Sequence, residues 1–84
     1  DRDGHGRVKE LLEFLARELV EDPDAVEVTE GSDDRGPVLT LSVAPEDMGK
    51  VIGKGGRTAR ALRAVVRVAA TRQGIDSVFV EIVD

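Results

Sequence analysis

Three glycines, Gly53, Gly55 and Gly56, surround Lys54 and run into Arg57 within the stretch Met48–Arg57, M-G-K-V-I-G-K-G-G-R. Glycine serves where a side chain would forbid the backbone conformation, or where backbone must approach a ligand closely. The residues after Gly56 have helical spacing, so Gly55, Gly56 and Arg57 lie at a helix N-terminus. There the unpaired N–H groups and the positive end of the dipole attract phosphate. The chemistry on offer is the holding of a phosphate, not turnover. No nucleophile–base pair, carboxylate constellation or metal-ligand set converges on the glycines. Glu46 and Asp47 are read as acids that complement the start of a short helix. The single histidine, His5, has no cysteine or second histidine to join it in a metal or catalytic site.

Spacing separates the glycine-rich phosphate loops. A P-loop needs G-x-x-x-x-G-K-[ST]. Here three residues separate Gly49 from Gly53, and Gly55 stands where Ser or Thr should follow Lys54. A dinucleotide fingerprint needs G-x-G-x-x-G, and Thr58 occupies the third glycine position. The G-x-x-G loop of KH domains, which clamps a nucleic-acid backbone, is matched by Gly53 and Gly56 with Lys54 and Gly55 between them. Val51-Ile52-Gly53-Lys54-Gly55-Gly56-Arg57, set between two helical segments, resembles the KH signature. The chain resembles the KhpA family of small bacterial single-KH proteins over nearly all of residues 7–84.

The elements that must position this loop can be read around it. Residues 1–6 hold two glycines among charged residues and read as a flexible tail. From Arg7 to about Glu21, Val8, Leu11, Leu12, Leu15 and Leu19 recur at helical spacing, with Phe14 and Val20 widening the stripe. Pro23 stops this helix. Ala25–Glu30 alternates as a strand with Val26 and Val28 inward. Gly31–Pro37 is a loop by composition, and its acid pair argues against RNA there. Val38–Ala44 is a second strand, forming a hairpin with the first. Pro45–Ile52 is a short helix ending at Gly53, with Pro45 at its first position. The helix after the loop runs from Arg57 to about Arg72, with Gly74 placed for its left-handed cap. Its apolar stripe runs through Leu62, Val65, Val68 and Ala69, roughly opposite Arg60, Arg63 and Arg67. Ser77–Val83 is the third strand. Helix, strand, strand, helix, glycine loop, helix, strand is an α+β order, with helices on one face of a three-stranded sheet.

The resemblance implies the rest. It implies the type II KH arrangement with a mixed sheet, one domain over residues 7–84. It implies that the loop N–H groups and Lys54 hold the backbone of about four nucleotides of single-stranded RNA. Of the aliphatic pair, one lines the groove and the other packs in the core; the sequence leaves open which of Val51 and Ile52 does each. The RNA-binding set is then Gly53, Lys54, Gly55, Gly56, Arg57 and Ile52, with Lys50 and Arg60 as further phosphate contacts. Phe14 and Phe79 both fall in elements read as core, so no aromatic stacking platform of the kind used by RRM and OB folds is expected. The resemblance also implies a homodimer, or a heterodimer with a KhpB-like KH protein. It further implies a cytoplasmic role in bacterial post-transcriptional regulation as an RNA chaperone, with links to cell shape. The alternative is a protein-interaction module that keeps the KH shape.

Charge distribution supports the loop as the anion site. The net charge is −5, which taken whole argues against nucleic acid. Yet residues 48–75 contain Lys50, Lys54, Arg57, Arg60, Arg63, Arg67 and Arg72 and no acid. A phosphate feels the field within a Debye length of about 10 Å, not the net charge. No apolar run approaches the roughly 20 residues of a membrane span, so no membrane partner is expected. Nor is a cofactor. With no cysteine, disulfides and thiolate metal sites are excluded.

Overall fold

A computed structural model describes residues 2–84, with side chains from Gly6 onward; Asp1 and the His5 side chain lie outside the described residues. The elements are α1 (Arg2–Leu19), β1 (Glu27–Asp33), β2 (Gly36–Ser42), α2 (Met48–Ile52), α3 (Arg57–Arg72) and β3 (Phe79–Val83). Single 3₁₀ turns at Pro23–Ala25, Pro45–Asp47 and Lys54–Gly56 join them. This is the α+β order read from the sequence. No described helix is long and apolar enough to cross a membrane.

The sheet order is β1-β2-β3, antiparallel between β1 and β2 and parallel between β2 and β3. Parallel neighbours cannot be joined by a hairpin. The α2–loop–α3 segment is therefore the crossover between β2 and β3, and the glycine loop sits in the middle of it. The helices pack on one face of the sheet. Val8, Leu12 and Ala16 of α1, Leu39 and Leu41 of β2, Val51 of α2, Leu62, Val66 and Ala70 of α3 and Val80 of β3 share one core.

Four sequence expectations are corrected. First, α1 opens at Arg2 rather than Arg7; residues 2–6 carry no apolar side chain, so apolar spacing has nothing to register there. Second, the expected loop Gly31–Pro37 is mostly sheet. Ser32 pairs with Pro37 and Asp33 with Gly36, leaving only Asp34 and Arg35 in the turn. The Asp33 carboxylate accepts the Arg35 main-chain N–H at 2.8 Å, a side-chain bond that closes short turns. Third, Phe14 is 59% exposed, not core. Fourth, the buried face of α3 is Ala59, Leu62, Val66 and Ala70, while Val65 and Val68 are exposed. Ala59 and Ala70 are small enough for close approach, so the core lies on their side of the wide apolar stripe.

Candidate nucleic-acid interface

α2 is short, five residues, and ends where Gly53 turns the chain, with the Gly53 N–H bonded to Gly49 O at 2.9 Å. Gly53 (φ 77°, ψ 169°), Gly55 (φ 65°, ψ 17°) and Gly56 (φ 78°, ψ 14°) all have positive φ. That region is costly for residues bearing a Cβ. Gly53 has a second reason to be glycine. A Cβ there would lie 2.3 Å from Thr58 Oγ1 and 2.8 Å from the Thr58 main-chain nitrogen. Thr58, in the first turn of α3, is thus the surface on which the loop backbone rests.

The turn uses the N–H of Gly56, bonded to Gly53 O at 3.1 Å, and the N–H of Arg57, bonded to Lys54 O. The N–H groups of Lys54 and Gly55 have no main-chain partner among the described residues. Lys54 and Arg57 are exposed on either side of them, and neither makes an ion pair among the described residues. Arg60 behaves differently: its Nη1 donates to Gly55 O at 3.0 Å. It ties down the loop from the following helical turn and satisfies one of its carbonyls.

Val51 is fully buried, at 0% exposure, while Ile52 is half-buried. Val51 is therefore the core member of the pair, and Ile52 is the one with surface beside the loop. Lys50 stands on α2 with its Nζ 3.8 Å from Asp47 Oδ1, so its charge is shared with a carboxylate.

Asp47 is a residue that sequence reasoning misjudged. It is 1% exposed. Its Oδ1 accepts the Glu21 N–H and its Oδ2 the Asp22 N–H, both at 3.1 Å. It closes the end of α1 onto the start of α2 and so fixes where α2 delivers the loop. Nothing in the sequence signals this, because the partners are main-chain groups more than twenty residues away.

A second group lies along β3, at the free edge of the sheet. Arg63 Nε donates to Val80 O at 3.3 Å, covering part of that edge. Arg63 and Arg67 share an open cleft of about 570 Å³ with Arg35 and Phe79. The Arg35 guanidinium sits 4.6 Å from the centre of the Phe79 ring. Its Nη2 bonds Asp33 Oδ2 at 2.6 Å and Glu81 Oε2 at 3.4 Å. Hydrogen bonds from the Arg35 side chain, and then from its main chain, hold the Asp33 carboxyl below its usual value. Phe79, expected in the core, is only half-buried. It shares a face of β3 with exposed Glu81, away from the helices.

A profile of the KhpA/KhpB KH domain matches residues 9–82. The chain belongs to the KhpA/KhpB KH-domain family. The chain is 50% identical over 76 residues to the RNA-binding protein KhpA of Clostridium acetobutylicum, covering 90% of this chain and all of that one. The RNA-binding protein KhpA of Halalkalibacterium halodurans is 56% identical over 66 residues, 79% of this chain and 87% of its own. That of Streptomyces coelicolor is 52% identical over 59 residues, 70% and 75% of the two chains. No solved structure matches significantly. The α+β fold with a mixed three-stranded sheet is that of a type II KH domain, and Gly53–Gly56 stand where α2 hands over to α3.

Proposed function

We propose that this protein binds single-stranded RNA, holding the backbone of about four nucleotides on the Gly53–Arg57 loop. One observation carries the reading. The loop's glycine geometry leaves the Lys54 and Gly55 N–H groups without main-chain partners among the described residues and sets them between two exposed cations. The free N–H groups donate to phosphate oxygens, Lys54 and Arg57 supply charge, and Ile52 lines the start of the groove. Arg60 acts through its bond to Gly55 O, and Lys50, paired with Asp47, contributes less. The names of the relatives, RNA-binding protein KhpA, agree with this reading. The protein acts by binding alone, as a cytoplasmic RNA chaperone or post-transcriptional regulator.

The test is a fluorescence titration of short single-stranded RNA with the wild type and with Lys54→Asp/Gly55→Asp. Asp tolerates the left-handed conformation at Gly55 better than most residues, so circular dichroism should report a folded variant. Binding that is lost in the folded variant supports the clamp; equal binding by both proteins would sink it. Three phosphate contacts on a single strand give a salt slope of about −2, or about a twentyfold loss for a fourfold rise in salt.

A specific observation favours self-association as well. Between α1 and α3 runs an apolar groove lined by Leu15, Leu19, Ala61, Leu62 and Val65, and Leu19, Val65 and Val68 are exposed beside it. A second copy, or a KhpB-like KH protein, would cover these side chains. Two linked clamps would offset the weak affinity of one. Sedimentation of wild type against Val65→Asp tests this; identical mass for both would remove the groove from the interface.

A further inference from the structure

We propose that Arg35, stacked on Phe79, is a platform for an unpaired nucleobase of an RNA longer than the loop-held segment. This rests on the RNA-clamp reading and adds a site that the loop does not contain.

The platform's geometry is that of a flat plate fixed before any ligand arrives. The Arg35 Cζ lies over the Phe79 ring, 4.6 Å from its centre. One edge is taken: Nε and Nη2 bond the Asp33 carboxylate at 3.2 and 2.6 Å, and Nη2 reaches Glu81 at 3.4 Å. The Arg35 side chain is nevertheless 48% exposed. A half-exposed guanidinium fixed along one edge over an aromatic ring is a stacking surface, and RNA-binding proteins stack splayed-out bases on Arg planes and aromatic rings alike.

Charge decides which part of a nucleotide fits. Asp33 and Glu81 balance the Arg35 charge and would repel a phosphate, so the plate suits the uncharged face of a base. Backbone phosphates have other partners in the same cleft. Arg63 and Arg67 line it too, and Arg67 makes no ion pair among the described residues. Along α3, Arg57, Arg60, Arg63 and Arg67 run from the loop towards Phe79, each about one turn beyond the last. A strand leaving the loop can follow these cations along β3 and lay a base on Arg35.

The test uses the whole protein and two fluorescent octauridylates of equal charge. One is complete; in the other the two nucleotides at each end are abasic, leaving four bases for the loop. The wild type should bind the complete octamer more tightly. Arg35→Ala should weaken the complete octamer about tenfold, within the range for stacking one base, and leave the abasic-ended octamer unchanged. Arg35→Lys, which keeps the charge without the plane, should behave as Arg35→Ala. Rescue by lysine, or equal loss on both octamers, would mean charge rather than stacking and would overturn the platform. Equal affinity of the wild type for both octamers would also overturn it while leaving the clamp standing. Failure of the wild type to bind either octamer would overturn both readings.

Discussion

The Asp47 carboxylate holds the main-chain N–H of Glu21, two elements and twenty-six residues away in sequence, at 3.1 Å. With its second oxygen on Asp22, it fastens the end of α1 to the turn that starts α2. Removing it leaves two donors that must find water in a part-buried site. Asp47→Ala should cost about 2 kcal/mol, which in a domain of this size lowers the melting temperature by about 10 °C. Asp47→Asn, which keeps one acceptor oxygen, should lose about half of that. A thermal melt of both variants checks it, and an unchanged midpoint for Asp47→Ala would mean that the α1–α2 closure does not depend on this carboxylate.

The loop glycines should not be equivalent. Gly53 and Gly55 both have positive φ, and alanine at either pays the left-handed penalty of about 1–2 kcal/mol. At Gly55 a Cβ meets nothing within 4 Å, whereas at Gly53 it meets Thr58. Gly53→Ala should therefore destabilise the fold at least twice as much as Gly55→Ala in urea. Thr58→Ala should not rescue it, because the Thr58 main-chain nitrogen would still lie 2.8 Å from the new Cβ. Equal urea midpoints for the two single variants would contradict the close approach.

Val51 and Ile52 should separate stability from binding. Val51→Ala empties a fully buried site and should cost about 2 kcal/mol through lost burial and the cavity left behind. Ile52→Ala removes a half-buried side chain and should cost about half as much. It should weaken RNA binding more than Val51→Ala does once both are measured well below their melting temperatures. Parallel melts and titrations decide it, and the reverse order in binding would place Val51 at the groove.

How far the sequence could be read depended on whether the signal was local. Gly53–Arg57 is a local signal: the backbone demands of the turn are written in its own residues, and the loop lies where the spacing put it. The cap of α3 was equally legible, with Gly74 at φ 80° and the Ile75 N–H bonded to Ala70 O at 2.9 Å. The reading failed where the deciding partner is distant. Asp33, Asp34, Gly36 and Pro37 look like a long loop until β2 is known to pair back through Ser32. Val65 and Val68 look like core until Ala59 and Ala70 are seen to set the close approach. Phe79 looks buried until Arg35 is found on its outer face. Asp47 looks like a helix-start acid because its hydrogen bonds go to main-chain groups that leave no trace in composition.

The parallel pairing of β2 with β3 makes the glycine loop the midpoint of a crossover, not the tip of a hairpin. A hairpin tip can gain or lose residues without disturbing the strands beneath it. An inserted residue between Ile52 and Arg57 would have to rotate or displace α3, and with it Leu62, Val66 and Ala70 in the core. The loop can change its letters but not its length. Variation in what such a domain binds would therefore come from exchanges of side chain at fixed loop length, and grafting a longer loop into this position would unseat the fold before it altered recognition.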